Sequence, residues 1–146
     1  MPVIRKERVK RIDKKSKTEI DKAKRKRLET ELDNQWREIA MVKWGGKCCW
    51  PGCSQTSRLS VHHFFHKKQG HVARWHLDNG MPLCFGHHIR QVHGSGNVEP
   101  IREALIEKIG VDVFNALKAA VRVTWKPSIE DMEALRDVFS VQLSGK

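Results

Sequence analysis

The sequence predicts an α+β protein in which a small metal-stapled core sits between helical flanks, and three features carry that prediction. Apolar residues recur at helical spacing on both sides of residues 48–96. Between those flanks lie all four cysteines and all eight histidines, in a loop-rich stretch with one strand-like run. Charge is polarised as well: residues 1–27 hold 13 Lys and Arg against 4 Asp and Glu, so +9 of the formal +11 falls in the first fifth of the 146-residue chain. No run of 18 apolar residues exists, so no helical membrane span is expected. The charged start, MPVIRKERVKRIDKK, lacks the apolar stretch of a secretory signal. An intracellular setting is therefore expected, and in a reducing compartment four cysteines suggest metal rather than disulfides.

The first segment, residues 1–46, reads as a basic arm followed by a helix. Residues 1 to about 16 are dominated by basic side chains and are expected to be disordered in isolation. From Thr18, a candidate N-cap with Asp21 three residues on, Ile20, Leu28, Leu32, Trp36, Ile39 and Ala40 follow a mostly three-to-four spacing. Gly45-Gly46 ends the helix. Lys22, Lys24, Arg25, Lys26 and Arg27 decorate its first half, and a basic stretch of this density attracts a polyanion, of which nucleic acid is the commonest inside cells. The competing view makes it a solvated tail or helix face.

The middle segment, residues 47–97, has too few apolar residues to fold well unaided and is expected to need a structural ion. Trp50-Pro51-Gly52 is a turn between cysteines, and Leu59 to Phe65 alternates enough for a short strand. Cys48-x4-Cys53 and Cys84-x2-His87 are two chelating pairs 31 residues apart, which together supply the four ligands of a tetrahedral zinc site. Cys49 can replace Cys48 on spacing alone. A second constellation is His62, His63, Asn79, His88 and His93. Phosphodiester hydrolysis needs a base for water, a cation on the phosphate and a group that fixes the base's tautomer. Adjacent strand residues point to opposite faces, so His62 and His63 cannot share one role.

The last segment, residues 98–146, is helical: Ile101–Ile109 with Pro100 in the first turn and Gly110 as stop, then about 111–121, then a helix opened by Ser128 with Asp131 placed to reach back. Ile129, Met132, Leu135, Val138, Phe139 and Leu143 form a stripe suited to the core or to a partner helix, the latter as a homodimer.

The run Cys48-x2-Pro51-Gly52-Cys53, then Val61-His62-His63-Phe64, then Leu77-Asp78-Asn79 and Leu83-Cys84-x2-His87-His88 resembles the HNH (His-Me finger, ββα-metal) endonucleases over about residues 47–97. Arg74–Asn79 and Ser95–Gly110, with a basic helix ahead of the knuckle, are further similar to the phage NinG (Rap) recombination endonucleases. The resemblance implies a ββα-metal core with a structural zinc knuckle (Cys48, Cys53, Cys84, His87), flanked by the basic N-terminal helix and C-terminal helices. It implies His63 as general base, Asn79 as the residue that supports the turn and orients it, and His62 and His88 as ligands of a catalytic divalent cation. His93 is the remaining candidate, five residues after His88 where the family has four. His87 stands where a fourth Cys is usual, and Cys49 is an extra thiol. Neutral imidazoles favour Ni2+, Zn2+, Co2+ or Mn2+ over Mg2+, though the family permits Mg2+ or Mn2+.

The expected activity is metal-dependent hydrolysis of DNA, with four-way or otherwise branched DNA as the substrate the recombination subgroup implies and the host cytoplasm as the setting for a phage protein. The basic arm helix, Lys67, Lys68, Arg74 and Arg90 are the expected phosphate contacts. The alternative is a non-catalytic, zinc-finger-like nucleic-acid-binding module, which would not need His62, His63, Asn79 and His88. A redox or metal-storage protein has only the Cys/His count in its favour.

Overall fold

The computed structural model describes the backbone of residues 2–145 and the side chains of residues 16–145. Residues 1 to about 16, expected to be disordered in isolation, are instead helical in the described backbone from Pro2 onward, as the first turns of α1. In chain order the elements are α1 (Pro2–Lys43), β1 (Leu59–His63), α2 (His71–Trp75), β2 (Gly80–Cys84), a π-helical segment (Gly86–Gly94), α3 (Glu99–Ile109), α4 (Val111–Ala120) and α5 (Ile129–Ser144), with single 3-10 turns at Lys67–Gln69 and Leu77–Asn79. The described residues are thus mixed helix and sheet, with one two-stranded antiparallel sheet among them.

Thr18 lies inside α1 rather than at its N-terminus, because the Lys, Glu and Ala around it are good helix formers. At the other end the helix stops as expected. Gly45 and Gly46 adopt φ of 67° and 66°, and the Gly46 N–H donates to the Met41 carbonyl at 2.8 Å, closing the last turn. Leu28, Leu32, Trp36 and Ile39 lie on one face of α1 and bury against Met132 and Phe139 of α5 and against Trp75. The α5 stripe is therefore covered by this chain's own first helix, while Val138 and Val141 stay exposed. Ser128 opens α5 with the expected capping box, its Oγ accepting from the Asp131 N–H at 3.0 Å and its own N–H donating back to Asp131 at 2.8 Å.

A second core gathers Met81 and Leu83 of β2, Ala73, Val92, Ile101 and Leu105 of α3, and Phe114 and Leu117 of α4. The hairpin lies between the two cores. Its register pairs His63 with Gly80, His62 with Met81 and Leu59 with Cys84. Gly80 is required for space rather than for its dihedrals: a Cβ there would lie 2.8 Å from Trp36 Cζ2 and 2.9 Å from Ala40 Cβ. Close approach of α1 to the hairpin at this residue is what brings Trp36 onto β1.

Candidate metal and catalytic centres

The turn Cys48–Cys53 and the start of the π-helical segment meet at one end of the hairpin. The Cys53 N–H donates to the Trp50 carbonyl at 2.9 Å, and the Cys84 N–H points at Cys48 Sγ at 3.3 Å. Ligand atoms of Cys48, Cys53, Cys84 and His87 all lie within 4.8 Å of one another. His87 Nδ1 is 3.2 Å from Cys84 Sγ and 3.5 Å from Cys48 Sγ. Ligands at ordinary zinc distances on a tetrahedron stand roughly 3.6 Å apart, so these four residues can hold one metal ion with little movement. The choice between Cys48 and Cys49 is resolved in favour of Cys48. Cys49 is buried beside the group but outside it, and burial pushes its thiol up to about 12, the profile of a packed, protonated side chain.

The alternation of β1 sends the paired histidines to different neighbours. His62 faces the π-helical segment, with its ring 5.2 Å from that of His88 and 5.4 Å from that of His93. The three can hold a metal ion, their ligand nitrogens lying within 4.8 Å of one another. The five-residue spacing of His88 and His93 is reconciled by the helix type. The segment is wound wider than an α-helix, as the Ser95 N–H to Arg90 carbonyl bond (3.1 Å) shows, so residues five apart come close to one face. Their Nε2 atoms are 3.1 Å apart, the separation of neighbouring ligands on one cation at about 2.1 Å each. Burial, and then the neighbouring histidines, push His62 down to about 4, and the same causes lower His88. Both rings are therefore neutral at pH 7, as a cation ligand must be. Ser60, one strand position before Val61, places its Oγ 2.6 Å from His88 Nδ1, which leaves Nε2 as the ligand atom.

His63 turns the other way. Its ring stacks on Trp36 at 4.0 Å and 12°, and its Nε2 lies 2.9 Å from the Arg74 carbonyl. A carbonyl only accepts, so Nε2 carries the proton and Nδ1 is left as a base. Burial lowers the His63 pKa, with the Arg74 carbonyl acting in the opposite direction. His62, His63, His66, Lys67, His88 and His93 share one open cleft of about 260 Å³ with Val61, and none of these residues is acidic.

Asn79 is fully buried, and its side-chain hydrogen bonds go to backbone groups rather than to His63. Its Oδ1 accepts from the Phe65 N–H, and its Nδ2 donates to the carbonyls of Phe65 and Ala73, each at 2.7 Å. The residue therefore fixes the segment that carries the Arg74 carbonyl, and so acts on His63 at one remove.

The expected phosphate contacts divide in two. Lys22, Lys26, Arg27, Lys67, Lys68 and Arg90 are exposed. Lys24 pairs with Glu133 at 2.7 Å, and Arg25 donates to the Pro127 carbonyl at 3.0 Å, so both help seat α5 on α1. Arg74 is committed inside the fold. It makes a two-pronged pair with Asp33 at 2.9 and 2.8 Å, reaches Glu29 at 3.4 Å and lies over the Trp75 ring. Burial raises the Asp33 carboxyl, but the bonds from Arg74 and Trp75 outweigh it and hold the group below the usual range. Arg74 thus anchors the peptide whose carbonyl orients His63. Sequence reasoning missed Trp36, Ser60 and Asp33 in this arrangement. Trp36 was legible only as a core residue, and nothing local marks the other two.

Comparison of the chain with protein-family models, curated proteins and solved structures finds no match. Among the described residues no helix is long and apolar enough to cross a membrane.

Proposed function

We propose that the protein is a metal-dependent DNA endonuclease of the HNH type, with a zinc ion at Cys48, Cys53, Cys84 and His87 as structural staple and a second divalent cation at His62, His88 and His93. The observation that carries this reading is the shared cleft: a three-histidine metal group and a neutral, tautomer-fixed His63 line the same 260 Å³ space, with Lys67 beside them.

His62, His88 and His93 would hold a divalent cation that would supply charge stabilisation for the scissile phosphate and the leaving oxygen. His63 takes the proton from the attacking water at Nδ1, and the imidazolium that forms keeps its Nε2 bond to the Arg74 carbonyl. Trp36 and the Asn79-fixed loop hold the ring in place. Lys67, Lys68 and Arg90 grip neighbouring phosphates, and the α1 lysines extend the track. Branched recombination intermediates are the proposed substrates, since a long basic helix reaches duplex beyond the cleft. The test is cleavage of linear, nicked and four-way DNA with and without added Mg2+, Mn2+, Ni2+ or Co2+. Binding without cleavage under every cation would leave the zinc-finger-like binding module in its place.

A further inference from the structure

Beside the zinc knuckle lies a second cavity, of about 420 Å³, between the knuckle and α3. That volume is in the range of small-ligand sites, about 300–1,000 Å³. Its aromatic wall is Trp44 and Trp50. Trp50 is held rigid by His87, which stacks on it at 4.6 Å and 3°, and Trp44 is anchored by its Nε1–H to the Gly80 carbonyl at 3.0 Å. Lys47 and Lys108 also line the cavity, with Lys108 Nζ 5.5 Å from the Trp44 ring centroid. Glu107 and the small Ala104 complete the α3 side.

We propose that this cavity binds an unpaired nucleotide of a DNA strand, its base against the indoles and its phosphate at Lys47 and Lys108. Fixed indoles offer a π-face that any base can stack on, and two exposed ammonium groups beside them match the phosphate that accompanies each base. A Watson–Crick-paired base cannot enter, because its faces are already stacked in the duplex. The Glu107 carboxylate can accept from the amino or imino edge of a base stacked on the indoles. His87, which stacks on Trp50, is joined by one peptide to His88 of the cation group. The inference rests on the DNA reading above and narrows it to DNA with single-stranded tails, flaps or open junctions.

The experiment uses the full-length, zinc-loaded protein without added catalytic cation, so that its result does not depend on cleavage. Fluorescence anisotropy compares a blunt labelled duplex with the same duplex carrying an eight-nucleotide single-stranded tail. Wild type should bind the tailed duplex about tenfold tighter. Ala104→Trp, which narrows the cavity from α3, should erase that preference and leave blunt-duplex affinity unchanged, with zinc content measured alongside because Cys48 and Cys53 also line the cavity. The Lys47→Glu/Lys108→Glu variant should also bring the tailed-to-blunt ratio near one, and it decides the matter if Ala104→Trp does not fold. Equal wild-type affinity for the two duplexes, or a preference that survives a folded variant, overturns the proposal. Tail preference without any metal-dependent cleavage would sink the nuclease reading alone, and cleavage without tail preference would sink only this one.

Discussion

Replacing Asn79 by Ala removes one side chain and strands three backbone groups. The Phe65 N–H and the carbonyls of Phe65 and Ala73 each lose a 2.7 Å partner at a site with no solvent access. Three net hydrogen bonds at about 1 kcal/mol set a floor of roughly 3 kcal/mol, and the cost of burying the orphaned groups raises it toward roughly 6 kcal/mol. For a chain of this size the loss corresponds to a fall of roughly 10 °C or more in Tm. Thermal melting of the zinc-loaded protein reads it directly. Asn79→Asp should do worse than its similar size suggests, since a carboxylate would face two carbonyl oxygens where an amide now donates. Function should suffer beyond stability, because the loop these bonds fix carries the Arg74 carbonyl that orients His63. At a temperature where the Ala variant is fully folded, its single-turnover cleavage rate should still be reduced while DNA affinity holds. A Tm within about 2 °C of wild type would mean that water or a shifted loop replaces the amide, and the reasoning from buried partners would fail.

Purified protein should carry one tightly held zinc per chain; elemental analysis should find it lost from Cys84→Ser along with the fold and retained in Cys49→Ser, and folded wild type without zinc would refute the staple. Ser60→Ala should weaken cation binding at the three-histidine group by roughly tenfold, read by calorimetry on zinc-loaded protein, with the melting point nearly unchanged; equal affinities would remove Ser60 as a positioning residue. Burial holds His63 below its ordinary 6.5, so the acid limb of the single-turnover rate should lie under pH 6.5. For the same reason the unfolded state binds more protons at this residue, and its contribution to stability is present above pH 6.5 and lost as pH falls through the folded pKa. An acid limb at pH 7 or higher would contradict the assignment.

Much of the site was legible because metal chelation is a matter of residue type and short spacing. Cys48, Cys53, Cys84 and His87 announce themselves in pairs, and the alternation of a strand separates His62 from His63 without a structure. The C-terminal helices were legible from Gly110 and the Ser128 cap. What sequence could not give was long-range. Trp36 meets His63 only because Gly80 lets α1 approach the hairpin, a contact between residues 27 positions apart. Arg74 read as a phosphate ligand because its partners, Asp33 and Glu29, lie on another element. The wide winding at Gly86–Gly94 has no composition signal, so the His88–His93 spacing looked like a departure until the backbone explained it. The length of α1 was underestimated because a good local cap at Thr18 was outweighed by the helix formers around it.

The central claim is that His63 acts as base beside a cation held by His62, His88 and His93. Single-turnover cleavage of a four-way DNA by wild type and His63→Ala, at saturating Mn2+ and with zinc content matched, tests it most directly. The account predicts cation-dependent cleavage by wild type, a fall of at least a hundredfold for the variant, and DNA affinity within a few-fold for both. A variant rate within a few-fold of wild type, or wild-type cleavage that persists without the divalent cation, would contradict it.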